Sequence, residues 1–430
     1  VSCHDAQKSL EVTKGFAAWQ ATVRRMADKD GAQIPSSSHE SIATYLASLG
    51  AEGKSTGDSA SGASIAPSAV SIAGTISPWY RGGGDTNIEL PGFFGDVWVG
   101  VNLNSSGPVS LRATACNTCH NDGAQLGRFD LVEATIRLDL NKLAGSKCER
   151  DTDPRAYLEA GRFVVPFGVY YQQVNPGVDR GVTRPLIYNM GQRVRPNDLG
   201  EPVLPMPYSD EGALMNLRVP FGEGTNISFD AYAVNGLAGT SNGINYYKSR
   251  DYTDNNRNPA IGGRIAIGSK NLQLGASLMG GRFNSDAGTG PLNQGLNYAI
   301  FGTDMLFQWK DRLRFQAEFA QRDSDRYGIV QNAAIFQERI GGSYIQSEYL
   351  LSTSKRLSFF FRYDNQLSHS QLPPIGSILT SGDFRVQRLT YGLNKTLRGG
   401  SLLMVDFERW YLPESLQNVN LFGMRWAMSF

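Results

Sequence analysis

Three residues that can hold an iron cofactor fall within one short stretch of this 430-residue chain. Cys116, Cys119 and His120 stand in the segment RATACNTCHND, although the whole sequence has only four cysteines and four histidines. The spacing C-x-x-C-H is that of a c-type haem attachment site, in which two thiols form thioether bonds and the imidazole binds the iron. Such a cluster is improbable by chance in a chain so poor in both residue types. The sequence therefore predicts a covalent haem at 116–120.

Two other interpretations of the motif stay open. A zinc site would need a fourth ligand, and a Cys116–Cys119 disulfide would leave His120 without a role. Cys148, in the segment KLAGSKCERDTDP, has no evident partner within the chain. It is either a free thiol or a partner for another chain.

A haem that transfers electrons needs a second axial ligand opposite His120. His369, in the segment LSHSQLPPIG, is the candidate for this sixth ligand. Met190 and Met206 are alternatives, because they lie in the long segment 166–212, which is rich in Tyr, Pro and Arg. That segment is long enough to fold inward, where it would either cover a haem or constrict a pore.

The pattern of residues at the C-terminus indicates that β-strands position these residues. Its last nine residues alternate between large apolar side chains and small or charged ones. The large apolar set comprises Phe422, Met424, Trp426, Met428 and Phe430. A period of two residues is that of a β-strand with one face in lipid. A terminal Phe that closes such a strand resembles the assembly signal of outer-membrane β-barrels.

The same alternation recurs along the chain and predicts sixteen strands, the even number found in bacterial single-chain barrels. Their lengths cluster near the ~9–11 residues that a tilted membrane strand needs, which disfavours a large soluble all-β protein. Charged residues at the inward positions should face the lumen, among them Arg264, Arg388, Asp406, Glu408 and Arg425. Besides the terminal strand, the segments are 71–80, 95–103, 108–115, 132–140, 155–165, 213–221, 226–234, 257–268, 271–282, 296–309, 312–320, 339–351, 356–364, 384–395 and 400–410.

The lengths of the connections predict the topology. Short turns at 222–226, 268–271, 309–312, 352–355 and 397–400 alternate with long loops at 235–256, 283–295, 323–338 and 367–382. Periplasmic turns are short and external loops long in outer-membrane barrels. Counted back from a C-terminal strand that ends in the periplasm, the loop 116–128 with its haem motif is external.

The composition excludes several classes of protein. The 41 Lys and Arg residues balance the 40 Asp and Glu residues, so no nucleic-acid-binding face is expected. No run approaches the ~18 apolar residues of a transmembrane helix. A membrane barrel remains compatible with this polar average, because its apolar residues are hidden in the alternation.

The first fifty residues differ in kind from the rest, and they are predicted to be helical. The segment SSSHESIATYLASLG is a capped amphipathic helix that ends at Gly50. Residues 1–50 resemble a small class I cytochrome c domain that starts within its haem motif. The resemblance implies Cys3 as a thioether ligand of haem, His4 as the proximal iron ligand and Met26 as the distal one. The first cysteine of that motif would stand immediately before Val1.

The predicted organisation is therefore a small all-α cytochrome c domain at 1–50, a flexible small-residue linker at 51–67 and an antiparallel transmembrane β-barrel of about sixteen strands at 68–430. Cys3, His4, Met26 and the terminal FGMRWAMSF resemble the outer-membrane cytochrome–porin fusions of iron-oxidising bacteria. The second haem motif at 116–120 departs from that family.

The resemblance implies a bacterial outer-membrane protein with its N-terminal domain in the periplasm or in the barrel lumen. It implies two c-type haems that pass electrons between periplasmic cytochromes or cupredoxins and an extracellular redox partner or metal ion, with Fe(II) oxidation as a possible activity. A second hypothesis is a solute porin whose haem domain is an accessory. A third is the barrel subunit of a larger multihaem complex.

Overall fold

The structure is a computed structural model that describes residues 22–23, 67–83, 91–117, 119, 129–145, 154–190, 201–222, 224–240, 243–250, 252–285, 295–310, 312–328, 334–354, 356–370, 384–397, 400–413 and 417–430. The chain divides into two compact units, Val1–Ser64 and Ile65–Phe430. In the first unit only Thr22 and Val23 are described, and they are helical. Cys3, His4 and Met26, and with them the expected cytochrome domain, lie outside the described residues.

The second unit is a closed antiparallel β-barrel of sixteen strands. The strands follow one another around the barrel in sequence order, and the first pairs with the last. Two further short strands, β8 and β9, form a separate hairpin. The strands are β1 (Pro67–Gly83), β2 (Gly92–Ser105), β3 (Val109–Asn117), β4 (Phe129–Asp139), β5 (Arg155–Val164), β6 (Ser209–Pro220), β7 (Thr225–Val234), β8 (Gly239–Thr240), β9 (Gly243–Ile244), β10 (Ala260–Ser269), β11 (Leu272–Arg282), β12 (Asn297–Trp309), β13 (Leu313–Gly328), β14 (Ala334–Ser352), β15 (Leu357–Ser370), β16 (Phe384–Thr396), β17 (Leu402–Tyr411) and β18 (Val419–Ser429).

Each of the sixteen predicted segments coincides with a barrel strand, so the barrel prediction is confirmed. The first and last strands close the barrel in a register that sets Thr75 opposite Ser429 and Trp79 opposite Arg425. A single helical turn, α1 (Leu140–Leu143), follows β4. Among the described residues, no helix is both long and apolar enough to cross a membrane.

The two faces of the barrel wall have opposite polarity, because side chains alternate along each strand. Large apolar residues such as Ile72, Ile261 and Leu278 point outward and are exposed. The residues between them point into the lumen, where Arg264, Arg388, Asp406, Glu408 and Arg425 are all buried, as the sequence predicts. An apolar outer band of this kind faces lipid.

Tight turns collect at one end of the barrel and long connections at the other. Two residues join β10 to β11, and a short turn joins β14 to β15 at this short-turn end. The connection from β7 to β10 and the segment from β5 to β6 belong to the opposite, long-loop end. The alternation of short and long connections is therefore confirmed.

At the long-loop end, β13, β14 and β15 extend furthest beyond their predicted bounds. Residues 323–338 were expected to form a loop, but β13 runs to Gly328 and β14 begins at Ala334. This extension is rich in charged residues and is held by cross-strand ion pairs, with Asp323 2.6 Å from Arg339 and Arg326 3.1 Å from Glu338. It lacks the apolar alternation that marks the lipid-facing part, so the pattern could not predict it.

A bulge in β4 changes the orientation of one residue. Thr114 pairs with Glu133 and Ala115 with Leu131, which leaves Val132 as the extra residue. Strict alternation within the predicted segment 132–140 would put Val132 on the same outward face as Ile136. Ile136 does point outward, but the bulge turns Val132 inside, where it is buried, so strict alternation is wrong at this residue.

Candidate functional site in the barrel lumen

The connection between β5 and β6 folds into the lumen. We call residues 165–208 the inserted segment, of which 165–190 and 201–208 are described. Apolar and aromatic residues along it are fully buried, including Val165, Phe167, Tyr188, Leu204 and Met206. Such residues would not be stable in an exposed loop, whereas inside the barrel they pack against one another and the wall. The inward folding expected for segment 166–212 is confirmed.

The inserted segment is anchored to the far wall by a buried charge network. Asp364 on β15 lies 3.2 Å from Arg362 and 2.9 Å from Arg388. Arg388 also lies 3.5 Å from Glu408, which pairs with Arg81 at 3.1 Å. These side chains are at most 3% exposed, so each charge depends on its partners for stabilisation.

Residues 182–186 of the inserted segment join this network. The Thr183 hydroxyl accepts hydrogen bonds from Arg362 at 3.1 Å and Arg388 at 3.0 Å, and it donates to Glu408. The backbone N–H of Leu186 donates to Asp364 at 2.9 Å, and that of Val182 donates to Asp406 at 2.7 Å. The segment is therefore held by backbone and side-chain bonds to three adjacent strands.

A second anchor surrounds Glu318 on β13. Its carboxylate accepts hydrogen bonds from the Tyr170 backbone N–H at 2.8 Å, the Tyr344 hydroxyl at 2.6 Å and the Tyr188 hydroxyl. The Tyr170 and Tyr188 rings stack at 5.4 Å. Burial raises the pKa of both phenols in the inserted segment well above the ordinary value, so they stay protonated and act as donors. Tyr170 donates to Asp179 at 2.6 Å.

The opposite side of the lumen is open. A cavity of about 330 Å³, the wall cavity, lies between the inserted segment and β2–β7. A larger cavity of about 780 Å³, the turn-end vestibule, reaches the turns that join β6 to β7 and β10 to β11. Both cavities are lined by Tyr171, Gln172 and Asp230. The two spaces are therefore neighbours separated by these three side chains.

The cysteines of the haem motif lie beside the wall cavity. Cys116 is the last residue but one of β3 and lies opposite Trp98, and both Cys116 and Cys119 are buried in one apolar cluster with Trp98, Val132 and Phe163. Their sulfurs are joined as a disulfide, with the Cα atoms 5.8 Å apart. The disulfide is one of the arrangements that the sequence left open.

The structure separates His369, the predicted sixth ligand, from this pair. His369 lies on β15 in register with Arg339, on the outward face, whereas Arg362, Asp364 and Gln366 of the same strand point inward. It is therefore six strands from β3 and on the other side of the wall, so the structure does not bring it to Cys116. The sequence predicts His369 in a loop, but β15 continues to Ser370 and fixes His369 on its outward face.

Both methionine alternatives lie in the lumen. Met206 is fully buried in the apolar cluster that contains Cys116 and Cys119, and Met190 packs against that cluster. His120 and Cys148 lie outside the described residues.

The sequence placed Arg388, Asp406 and Glu408 at inward positions but did not predict that they anchor the inserted segment. Arg362, Asp364 and Glu318 stand at inward positions of predicted strands, and a porin lumen is expected to be polar there. Their only signal was a charge in the middle of an otherwise alternating strand. The partner Thr183 gave no signal, because its role depends on where a long irregular segment folds.

Comparisons with known proteins support the fold. No protein-family model matches the chain, and no curated protein matches it. Among solved structures, the anion-selective porin from Comamonas acidovorans has a TM-score of 0.52 at 10% identity, covering 84% of this chain and 99% of that one.

Two further porin-like structures have similar scores. The outer membrane channel DcaP of Acinetobacter baumannii gives a TM-score of 0.51 at 12% identity, with 84% of this chain and 97% of that chain covered. Salmonella typhi OmpF, in a complex with daunomycin, gives 0.51 at 12% identity with the same coverage. The chain therefore has the sixteen-stranded antiparallel barrel fold of outer-membrane porins.

Proposed function

We propose that this chain is a bacterial outer-membrane channel for small hydrophilic solutes, with a path restricted to one side of the lumen. The observation that carries the proposal is the adjacency of the wall cavity and the turn-end vestibule. On the far side, buried ion pairs and the inserted segment fill the lumen. Solutes would pass along β3–β7 and β10, and Tyr171, Gln172 and Asp230 would form the narrowest point.

Single-channel conductance in planar bilayers tests this function. The purified chain should form water-filled channels, and Tyr171→Ala should raise their conductance by widening the narrowest point. Tyr349→Ala is a matched control, since Tyr349 is an exposed residue of the outward face and its loss leaves the lumen unchanged. A protein that passes no current, or whose current is the same in both variants, would contradict the proposal.

A second candidate function is an electron conduit of the cytochrome–porin type, as the resemblance implies. The observation that favours it is that Cys116 and Cys119 are buried side by side inside the barrel, in the apolar cluster that contains Trp98. Haem c at His120, and a second haem held by Cys3, His4 and Met26, would supply one-electron redox centres in an insulating membrane. The partners would be periplasmic cytochromes or cupredoxins on one side and an extracellular redox partner, such as Fe(II), on the other.

A count of covalent haems separates the two functions. The mass of the intact chain, and its visible spectrum after reduction, should show two haems in a conduit. A colourless chain that conducts ions would contradict the conduit and support the solute channel. A coloured chain that conducts little and exchanges electrons with a reduced cytochrome would favour the conduit.

A further inference from the structure

The outward face of the barrel changes from apolar to cationic near the long-loop end of β14, β16 and β17. Residues two apart along a strand share a face, so each outward row can be followed along its strand. Toward the long-loop end these three rows reach Arg339, Arg385 and Arg409, which are all exposed. The exposed apolar residues that precede the arginines in the same rows are Ile345 and Tyr349 on β14, Tyr391 and Leu393 on β16, and Phe407 on β17.

The three arginines stand at the edge of the apolar band, where lipid headgroups begin. Long arginine side chains extend from such an edge and place their charge among the headgroups. The long-loop ends of β1 and β2 are different, because their outward residues Tyr80 and Phe93 form an aromatic pair with ring centroids 4.8 Å apart. The edge of the wall is therefore cationic on β14–β17 and aromatic on β1 and β2.

Two of the arginines and one histidine lie close together on adjacent strands. Arg339 on β14 lies opposite His369 on β15, and Leu367 lies opposite Arg385 on β16. Arg385 is thus two strands away from Arg339 and two residues out of register, which puts their Cα atoms roughly 12 Å apart. We call Arg339, His369 and Arg385 the outer basic patch. Both arginine side chains can reach one headgroup at this spacing, and the imidazole between them can donate a further hydrogen bond.

The outer basic patch keeps a net positive charge. Asp323 lies 2.6 Å from the Nε of Arg339 and neutralises part of its charge. Arg385 donates from its Nε to the side-chain oxygen of Asn365 at 2.6 Å, which leaves both terminal nitrogens for another acceptor. Neither Arg385 nor Arg409 forms an ion pair with a carboxylate in the part of the chain that the structure describes. An anion is therefore the complementary ligand.

We propose that the outer basic patch binds the phosphate groups of a membrane lipid, a phosphorylated glycolipid of the outer leaflet. A guanidinium group can donate two parallel hydrogen bonds to phosphate oxygens, and such charge-assisted bonds are stronger than neutral ones. The acyl chains of the same molecule would pack on the apolar band beside the patch, where Leu367 is 49% exposed. The outer leaflet follows from the long-loop end being external. The inference applies to a solute channel and to an electron conduit alike, because the patch lies outside the lumen.

The first experiment measures binding by native mass spectrometry of the full chain in detergent, titrated with lipid A, an acylated disaccharide with two phosphates. Arg385→Gln should weaken binding about fivefold, and Arg339→Gln together with Arg385→Gln about 30-fold, from the usual contribution of an arginine beside an anionic lipid. Lys395→Gln is the matched control, because Lys395 is exposed on the same face of β16 near the short-turn end, and it should leave binding unchanged. An equal loss in Lys395→Gln and Arg385→Gln would overturn the placement.

The second experiment separates the phosphate groups from the rest of the lipid. Dephosphorylated lipid A should bind the parent chain about as weakly as lipid A binds the double variant. Excess inorganic phosphate should leave bound lipid A in place, because it has no acyl chains to pack on the apolar band. Equal binding of the two lipid forms would overturn phosphate recognition. Displacement by inorganic phosphate would overturn the lipid as the ligand.

The third experiment tests the patch by a gain of affinity. Asp323→Asn removes the carboxylate that competes for Arg339, so lipid A should bind more tightly than it does to the parent chain. Heat-dependent migration in SDS gels shows that each variant is a folded barrel. Unchanged or weaker binding by a folded Asp323→Asn chain would overturn the role of Arg339.

Discussion

Asp364 is the residue on which the filled side of the lumen depends. It accepts bonds from Arg362 and Arg388, and it also accepts the backbone N–H of Leu186. All three charged side chains are fully buried. Removing charges from water is costly, and only close pairing with further hydrogen bonds offsets that cost. The lumen thus contains a network whose members are stable only together.

Asp364→Asn should destabilise the barrel strongly. The change removes the negative charge shared by two buried arginines, and breaking a buried pair in this way costs about 3–5 kcal/mol. The free energy of unfolding of the chain refolded into lipid vesicles, measured by guanidinium titration, checks this.

Asp323→Asn is the control for this measurement. It breaks an ion pair with Arg339 in which the side chains are 60% and 35% exposed, so the loss should stay below about 1 kcal/mol. Equal losses in Asp364→Asn and Asp323→Asn would show that the lumen network contributes no more than a surface pair.

The inserted segment depends at its entry on one glycine. Gly168 has a φ of +64°, in the left-handed region that residues with a Cβ rarely adopt. A Cβ built there would collide with the Glu318 carboxylate and the Tyr188 hydroxyl. The backbone N–H of Gly168 also donates to Ser277 at 3.0 Å. Close approach of the backbone to the Glu318 anchor therefore requires glycine.

Gly168→Ala should loosen the inserted segment. The strained φ alone costs more than about 1 kcal/mol, and the collision moves the chain away from Glu318. We expect faster trypsin cleavage within 165–190 and a larger channel conductance.

Gly145→Ala is matched for backbone strain, since Gly145 has a φ of +73° and open space around its Cβ. It should leave trypsin cleavage of the inserted segment and channel conductance unchanged. If Gly145→Ala changed cleavage and conductance as much as Gly168→Ala does, the collision with Glu318 would not be the cause of the effect.

The strands could be predicted because lipid forces a strict alternation on them, as in Phe422 to Phe430. The ends of β13, β14 and β15 at the long-loop end could not, because charged residues interrupt the apolar alternation there and pairing depends on partners such as Asp323 and Arg339. The bulge at Val132 could not be predicted either, since Leu131 and Val132 are both apolar and the sequence does not show which of them faces outward.

The candidate site was predictable only in part. The C-x-x-C-H spacing identified Cys116 and Cys119 as a pair, and the length of 166–212 indicated a segment that folds inward. The residues that line the wall cavity, such as Trp98 and Arg137, come from other strands than the pair. Their proximity follows from the strand register, which a single sequence does not give.

At the scale of the whole molecule, the barrel has two unlike ends. The short-turn end carries the C-terminus and the turn-end vestibule, and the long-loop end carries the inserted segment and the loop that follows Cys116. Outer-membrane barrels place short turns in the periplasm and long loops outside. The cysteine pair would then lie near the external mouth, and a carrier from the periplasm would meet the opposite end.

Labelling of new cysteines in intact cells tests this orientation. Gln417 is exposed in the long-loop connection between β17 and β18, and Ser354 is exposed in the short turn between β14 and β15. Gln417→Cys should react with a membrane-impermeant maleimide on whole cells, above the background of the parent chain. Ser354→Cys should react only after the outer membrane is permeabilised. The reverse pattern would place Cys116 and Cys119 at the periplasmic mouth, so that an extracellular donor would have to reach them through the whole lumen.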